Sequence, residues 1–219
     1  LVKKNTTFKN ELTFFESEIE QQKIPLNTNT ELLIFLYLYS NKLHFHFLEG
    51  SFEEGEYLVD IINNKIDQYK NRLDNHYIVL LYYKIACLYF GMGKNKLCIA
   101  YLQKIIRSKN ISAAEDLQCF ARVLNLIAHY ECGLDYDLER QFVDTYKFLL
   151  KMENLQEVQK VFLTSIRDLS DVFPHEIKNE FKKIHGKLKK FENHPYEKRA
   201  FLYLDILSWL ESKIQNKPI

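Results

Sequence analysis

Glycine and proline are scarce in this chain: only six glycines and four prolines occur among its 219 residues. An average globular chain of this length holds roughly twice as many of these turn-forming residues, or more. The scarcity excludes turn-dense sandwiches and barrels, collagen-like arrays and flexible low-complexity chains. With 47% hydrophobic residues, including 14 tyrosines and 16 phenylalanines, the chain has enough apolar side chains for a large core. These features predict a folded protein built from long helices.

The charge and the cysteine content further narrow the class of protein and the cellular location that we expect. The chain has 30 lysines and arginines against 29 aspartates and glutamates, so its overall charge does not indicate a strongly basic nucleic-acid binder. Four cysteines lie within apolar helical patterns and form no CxxC motif, and they are Cys87, Cys98, Cys119 and Cys132. We expect buried, reduced thiols and therefore a cytoplasmic location.

No membrane span is expected. The longest apolar run covers the eight residues from Leu32 to Tyr39, whereas a membrane-spanning helix needs about 20. The sequence begins at Leu1 rather than at methionine, so we expect a fragment or a processed chain.

Apolar residues recur at steps of three and four along most of the chain, which predicts about nine helices and no secure strand. One such stripe is formed by Phe8, Leu12, Phe15 and Ile19. A second, with a seven-residue period suited to helix packing, is formed by Ile177, Phe181, Ile184, Leu188 and Phe191. Residues 31–49 allow an alternative, because Leu43, Phe45 and Phe47 alternate with the period of a strand and could belong to a hairpin.

A longer repeat favours the helix for residues 31–49. The central copy contains Tyr82, Ile85, Ala86, Tyr89 and Gly93, followed by Cys98 and Leu102. Small residues such as Ala86 and Cys98 allow two antiparallel helices to cross closely, and Gly93 permits the turn between them. A similar layout occurs 43 residues earlier with Tyr39, Leu43, His46, Gly50, Gly55 and Val59. It occurs again 40 residues later with Leu126, His129, Gly133, Leu138 and Phe142.

This layout resembles the tetratricopeptide repeat, most closely over residues 77–107 and less closely over 31–72 and 112–153. The resemblance implies an all-α fold in which antiparallel helix pairs stack into a right-handed α–α superhelix. Residues 155–219 would add a C-terminal helical extension to the same single domain, which would cover residues 1–219.

The resemblance also implies a concave groove lined by the first helix of each pair. In that register the partner-binding positions are Tyr37, His44, Phe47, Tyr83, Phe90, Ile127 and Tyr130. Two interpretations remain open for them. They could anchor a partner's helix or extended peptide, since exposed apolar strips usually mark interfaces. Alternatively, a helix of the chain itself, such as one over residues 196–216, could fill the groove and make these residues core.

Motifs for catalysis are absent from the sequence. It contains no glycine-rich phosphate loop, no GxSxG and no HExxH. His44 and His46 are two residues apart and would point in different directions on a helix, so they are not expected to share a metal. We therefore predict no catalytic residue, no cofactor and no metal. The predicted function is protein–protein interaction or scaffolding, with self-association as one form of it.

An alternative function rests on the lysine-rich helix predicted over residues 175–191. It carries six lysines around its apolar seam, partly offset by three glutamates: Lys178, Lys182, Lys183, Lys187, Lys189 and Lys190, with Glu176, Glu180 and Glu192. Such a face is usually only solvated, but it could bind phosphates in a nucleic-acid-associated regulator. No aromatic interleaving supports this alternative, so nucleic acid is the less favoured partner.

Overall fold

The computed structural model describes residues 2–21, 23, 27–108, 115–133, 135–149, 151, 157–169, 172, 176–197 and 205–217. Within these residues the chain is all-α, with ten α-helices, one short 3-10 helix and no strand. The helices are α1 (Val2–Glu20), α2 (Thr28–Glu49), α3 (Tyr57–Tyr69), α4 (Asn75–Gly91), α5 (Asn95–Ile106), α6 (Glu115–Glu131), α7 (Asp135–Leu149), α8 (Glu157–Leu169), α9 (Ile177–Lys189) and α10 (Ile206–Gln215). The 3-10 helix, Glu53–Gly55, lies between α2 and α3. The chain divides into two compact units, unit 1 (Leu1–Gln118) and unit 2 (Cys119–Ile219), and the division falls within α6.

Residues 31–49 are helical, so the hairpin alternative is wrong. Asn27 begins α2 as an N-cap, because its side-chain oxygen accepts hydrogen bonds from the backbone N–H groups of Asn29 and Thr30. Gly50 ends the helix in the left-handed conformation, with φ of 67°. The alternation of Leu43, Phe45 and Phe47 does not produce a strand, because the apolar residues of α2 continue around most of its circumference.

The three glycines predicted to end helices share one backbone conformation. Gly50, Gly93 and Gly133 have φ values of 67°, 69° and 65°. Side chains other than glycine are strained in this region, so glycine is the natural residue for reversing the chain after a helix. Each of these glycines follows the end of the helix that the sequence assigned to it, namely α2, α4 and α6.

In unit 1 the helices form antiparallel pairs. The ring of Phe35 in α2 lies 5.9 Å from that of Tyr69 at the far end of α3. Likewise, Tyr101 of α5 lies between Tyr82 and Tyr89 of α4, at ring distances of 5.8 and 5.7 Å. The amide of Asn63 in α3 donates to the hydroxyl of Tyr101 in α5 at 2.6 Å, so this hydrogen bond links the second helices of the two pairs.

The repeated small positions have the surroundings expected of helix crossings. Ala86 and Cys98 are fully buried. A side chain on the buried Gly55 would meet His46 and Leu88 at 3.0 Å. Since Leu88 belongs to α4, Gly55 lies where the first pair contacts the second.

Unit 2 has a core centred on its single tryptophan. Trp209 of α10 is 1% exposed, and its ring lies within 6.3 Å of the rings of Tyr130, Phe162 and Phe181. The predicted seam of α9 is buried at Phe181, Ile184 and Leu188 and packs towards α8 and α10. In the same unit α6 and α7 are antiparallel. The amide of Asn125 donates a hydrogen bond to that of Gln141, whereas Arg122, earlier in α6, lies over the ring of Phe148, later in α7.

Part of the predicted C-terminal helix lies outside the described residues. The helix predicted over 196–216 is observed as α10 from Ile206, and Phe201 and Leu204 fall in the undescribed stretch. No helix in the described part of the chain combines the length and the hydropathy needed to cross a membrane.

Candidate functional site

The accessible face of α2 carries an apolar stripe, which we call the α2 stripe and define as Leu33, Tyr37, His44 and Leu48. Tyr37 is 58% exposed and Leu33 is 42% exposed, and His44 and Leu48 are exposed as well. The core of unit 1 is contacted by the other side of the helix, at Phe35, Leu36, Leu43 and His46. Spacings of four and seven residues place the members of the stripe on one side of α2.

Helix α1 borders this stripe. The ring of Phe8 meets that of His44 edge-on at a centroid distance of 5.6 Å, and the amide of Asn5 donates to the backbone oxygen of Leu48 at 3.3 Å. The predicted stripe of α1, from Phe8 to Ile19, is only partly buried. Two of the predicted groove residues, Tyr37 and His44, therefore lie on an accessible surface next to α1.

Helix α4 carries a stripe of side chains that are exposed or only partly buried, the α4 stripe, formed by Tyr77, Leu80, Lys84 and Cys87. The predicted groove residue Tyr83 is not part of it, because its side chain is 2% exposed and belongs to the core. A rotation of one residue around the helix, about 100°, separates the buried Tyr83 from the partly buried Lys84. The side chain of Tyr83 is therefore not accessible to a partner.

Lys84 is the only Lys, Arg, Asp or Glu residue in α4. Its Nζ donates a hydrogen bond to the backbone oxygen of Ser40 in α2 at 3.1 Å, and no ion pair to a described carboxylate is present. Burial lowers the pKa of Lys84, and the nearby Cys87 opposes this shift weakly. No motif contains Lys84, so the sequence did not single it out. The available signal was a single charge in an otherwise apolar helix.

Cys87 lies beside Lys84 but lacks the properties of a nucleophile. Burial raises the pKa of its thiol to about 12, although a hydrogen bond with Tyr83 and the charge of Lys84 act in the opposite direction. A thiol with this pKa is protonated at neutral pH, whereas catalysis requires the thiolate.

Phe47 and Phe90 are partly buried. The ring of Phe47 lies 6.2 Å from that of Phe52, and Phe52 in turn lies against Gly91 at the end of α4. Phe47 therefore contributes to packing near the end of α2, and only part of its ring is available to a partner.

In unit 2 the predicted groove residues Ile127 and Tyr130 contribute to the core. Ile127 is 1% exposed, and the partly buried ring of Tyr130 meets those of Phe181 and Trp209 edge-on at 6.0 and 6.2 Å. Because Trp209 belongs to α10, a C-terminal helix covers this face. In unit 2, a helix of the chain itself therefore packs against Tyr130, one of the positions that the resemblance assigned to a partner.

The histidines of the described residues have separate environments. His46 is buried and its Nδ1 is 2.9 Å from the hydroxyl of Ser51, whereas His44 faces outward. The Nδ1 of the buried His129 donates to the backbone oxygen of Asn125 at 2.7 Å. Across the described ranges, no three His, Cys, Asp or Glu side chains are grouped so as to hold a metal ion.

The lysine-rich face of α9 is exposed and partly neutralised. Lys183 pairs with Glu180, and Lys189 lies 3.5 Å from Glu192 and 3.9 Å from Glu211. Within the described part of the chain the other four lysines have no ion pair, and they are Lys178, Lys182, Lys187 and Lys190.

Comparisons with protein-family models, curated proteins and solved structures found no match for this chain.

Proposed function

We propose that this chain is a non-catalytic protein-interaction module that binds a partner's helix or extended peptide on the α2 stripe. The observation that carries the proposal is the 58% exposure of Tyr37 together with the 42% exposure of Leu33, on a helix whose opposite side is core. Tyrosine is among the residues that contribute most at protein interfaces. Docking of a partner would remove this apolar surface from water, which is favourable by about 25 cal/mol per Å².

We also propose that the helix pairs are divergent tetratricopeptide-like repeats in a right-handed superhelix. Support comes from the antiparallel pairs α2–α3 and α4–α5, from the hydrogen bond that links α3 to α5, and from the three left-handed glycines at intervals of 43 and 40 residues. In such an arrangement α2 and α4 would line the concave face. The four unbridged cysteines are consistent with the reducing cytoplasm that we propose as its location.

The experiment compares Tyr37→Glu with Tyr57→Glu. Tyr57 of α3 is 56% exposed and lies outside the α2 stripe, so it is a matched control for placing a charge on an exposed tyrosine. Each chain is immobilised, exposed to extract of its native cell, and its retained proteins are identified by mass spectrometry. Circular dichroism first establishes that both variants are as helical as the wild type.

We expect a protein that is retained by the wild type and by Tyr57→Glu and is lost with Tyr37→Glu. One carboxylate facing an apolar partner surface weakens binding by about 2 kcal/mol or more, which is over tenfold in affinity. Equal retention by all three chains would contradict the proposal. If the retained protein is a second copy of the chain, sedimentation velocity will show a dimer that Tyr37→Glu dissociates.

A second candidate function uses the exposed face of α9. The observation favouring it is that Lys178, Lys182, Lys187 and Lys190 form no ion pair with any residue that the structure describes. In this candidate the lysines contact the phosphates of a nucleic acid. Binding would then fall steeply with salt, and replacing two lysines by glutamine would reduce the slope by about two. A filter-binding series with a single-stranded oligonucleotide over increasing salt tests it. Binding that is absent at low salt would eliminate this candidate.

A further inference from the structure

Lys84 is a charged residue in partly buried surroundings, and no carboxylate among the described residues pairs with it. Its amine lies at the contact between α2 and α4, and its hydrogen bond goes to the backbone oxygen of Ser40 rather than to a carboxylate. Lysine is rarely removed from water unless it is paired. A buried charge loses its hydration energy, and an opposite charge is what compensates best for this loss. Ser40 accepts one of the three N–H groups of the ammonium, and the other two need hydrogen-bond acceptors.

The neighbours of Lys84 define what kind of anion fits. His44 of the α2 stripe keeps one side exposed, and its pKa is lowered first by the partial loss of water around its ring and then by the nearby charge of Lys84. The imidazole is therefore neutral at neutral pH, where it can donate or accept a hydrogen bond without adding charge. The protonated thiol of Cys87 adds no charge either. This leaves one positive charge, which a single carboxylate balances better than a phosphate dianion.

We infer that Lys84, together with His44, forms a binding subsite for one carboxylate of the docked partner. The inference rests on the proposed function, because Tyr37 and His44 of the α2 stripe belong to the same surface. The partner it describes is an acidic–apolar peptide segment with an Asp or Glu side chain beside its apolar anchors. Lys84 supplies the charge contact, and the exposed rings and aliphatic side chains next to it receive the apolar groups.

The first test measures the subsite without any partner. Trace acetic anhydride acetylates the amines, and peptide mass spectrometry gives the acetylation rate of Lys84 relative to that of the exposed Lys96 in α5. The probe is 3-phenylpropionate, which joins a ring to one carboxylate, and 3-phenylpropionamide is its uncharged match. Inorganic phosphate forms a third arm at the same ionic strength.

We expect the carboxylate probe alone to slow the labelling of Lys84. A bound anion stabilises the ammonium form, and each unit by which it raises the pKa reduces the reactive neutral fraction about tenfold. Equal slowing by the amide would mean that the ring merely shields the amine and would overturn the inference. Unchanged labelling with the carboxylate, or stronger protection by phosphate, would overturn it as well.

The second test separates this inference from the proposed function. A library of displayed peptides is selected on the wild type, on Lys84→Met and on Lys96→Met as the matched control. We expect Lys84→Met to fold, because replacing an unpaired, partly buried charge with an apolar side chain of similar length removes a desolvation cost. Circular dichroism checks this before the selection.

Peptides selected by the wild type and by Lys96→Met should be enriched in Asp or Glu next to apolar residues, and this enrichment should vanish with Lys84→Met. Peptides that bind through the α2 stripe without acidic enrichment would overturn the carboxylate subsite and leave the proposed function standing. If no peptide is selected although 3-phenylpropionate protects Lys84, the anion subsite stands and peptide binding as the function fails.

Discussion

Gly91 and Gly186 both lie in helices, but their surroundings differ. A Cβ atom on Gly91 would be 2.4 Å from the ring of Phe52, whereas one on Gly186 would have no neighbour within 4 Å. Alanine is about 1 kcal/mol more favourable than glycine in a helix interior. At Gly186 this gain is unopposed, and at Gly91 the ring of Phe52 opposes it.

We therefore expect Gly91→Ala and Gly186→Ala to change stability in opposite directions. Gly186→Ala should raise the free energy of unfolding by about 0.5–1 kcal/mol. Gly91→Ala should lower it by about 1–2 kcal/mol, because the displaced ring of Phe52 packs against Phe47 and overpacking is costly. Urea unfolding followed by far-UV circular dichroism measures both changes. A stabilising Gly91→Ala would mean that Phe52 moves aside freely.

At the scale of whole elements, α10 is attached to α6 through one carboxylate. The indole Nε1 of Trp209 donates to Oε1 of Glu131 at 2.7 Å, and the ammonium of Lys213 pairs with the other oxygen of the same group. Glu131 and Lys213 are largely shielded from water, with side chains 15% and 31% exposed. The carboxylate thus satisfies the buried indole and balances the lysine at once.

We expect Glu131→Ala to lower the free energy of unfolding of unit 2 by about 2–3 kcal/mol, because it leaves the indole N–H and the lysine without their partner. The matched control is Glu211→Ala in α10. Glu211 contacts His185 and Lys189 but is 44% exposed, so its loss should cost less than about 1 kcal/mol. The fluorescence of Trp209 during urea unfolding measures both variants. Equal effects would show that the shared carboxylate is not what attaches α10.

The helix ends were predictable because local chemistry determines them. Asn27 and Asp74 carry side-chain acceptors that cap the following helix, and Gly50, Gly93 and Gly133 adopt a conformation that other residues avoid. These effects involve only a few neighbouring residues. For that reason the sequence predicted the ends of α2, α4 and α6 and correctly favoured a helix over a hairpin for residues 31–49.

The candidate site was less predictable because it depends on which side of each helix is covered. The register drawn from the repeat placed Tyr37 and His44 on a face that is indeed accessible, but it also selected Tyr83, which is buried. One residue, about 100°, separates Tyr83 from Lys84, and a repeat pattern with only one close copy does not fix the register that finely. The partial burial of Tyr130 depends on its contact with Trp209, which lies about 80 residues away in the sequence and is therefore beyond the reach of a local pattern.

At the scale of the molecule, the chain forms two compact units, each with its own set of packed helices. The division falls inside α6, where no change in composition marks it. Cysteines occur in both units: Cys87 and Cys98 lie in unit 1, and Cys119 and Cys132 lie in unit 2. The thiols can therefore report on each unit separately.

We expect Cys98 and Cys119 to resist labelling by a maleimide at neutral pH in the native state, because both are buried. Increasing urea should expose Cys98 when unit 1 opens and Cys119 when unit 2 opens, and peptide mass spectrometry resolves the two transitions. Labelling of the fully unfolded chain provides the reference rate. Rapid native labelling at both sites would contradict the packing described for them.

The position of the single tryptophan gives this protein an internal optical probe. Since Trp209 is enclosed by three aromatic rings and bonded to Glu131, its emission should lie at short wavelengths in the folded state and shift to the red when water reaches it. Light of a wavelength that only tryptophan absorbs excites no residue of unit 1, so the measured fluorescence comes from unit 2. The opening and closing of unit 2 can therefore be timed in the unmodified chain, without a dye or an added reporter residue.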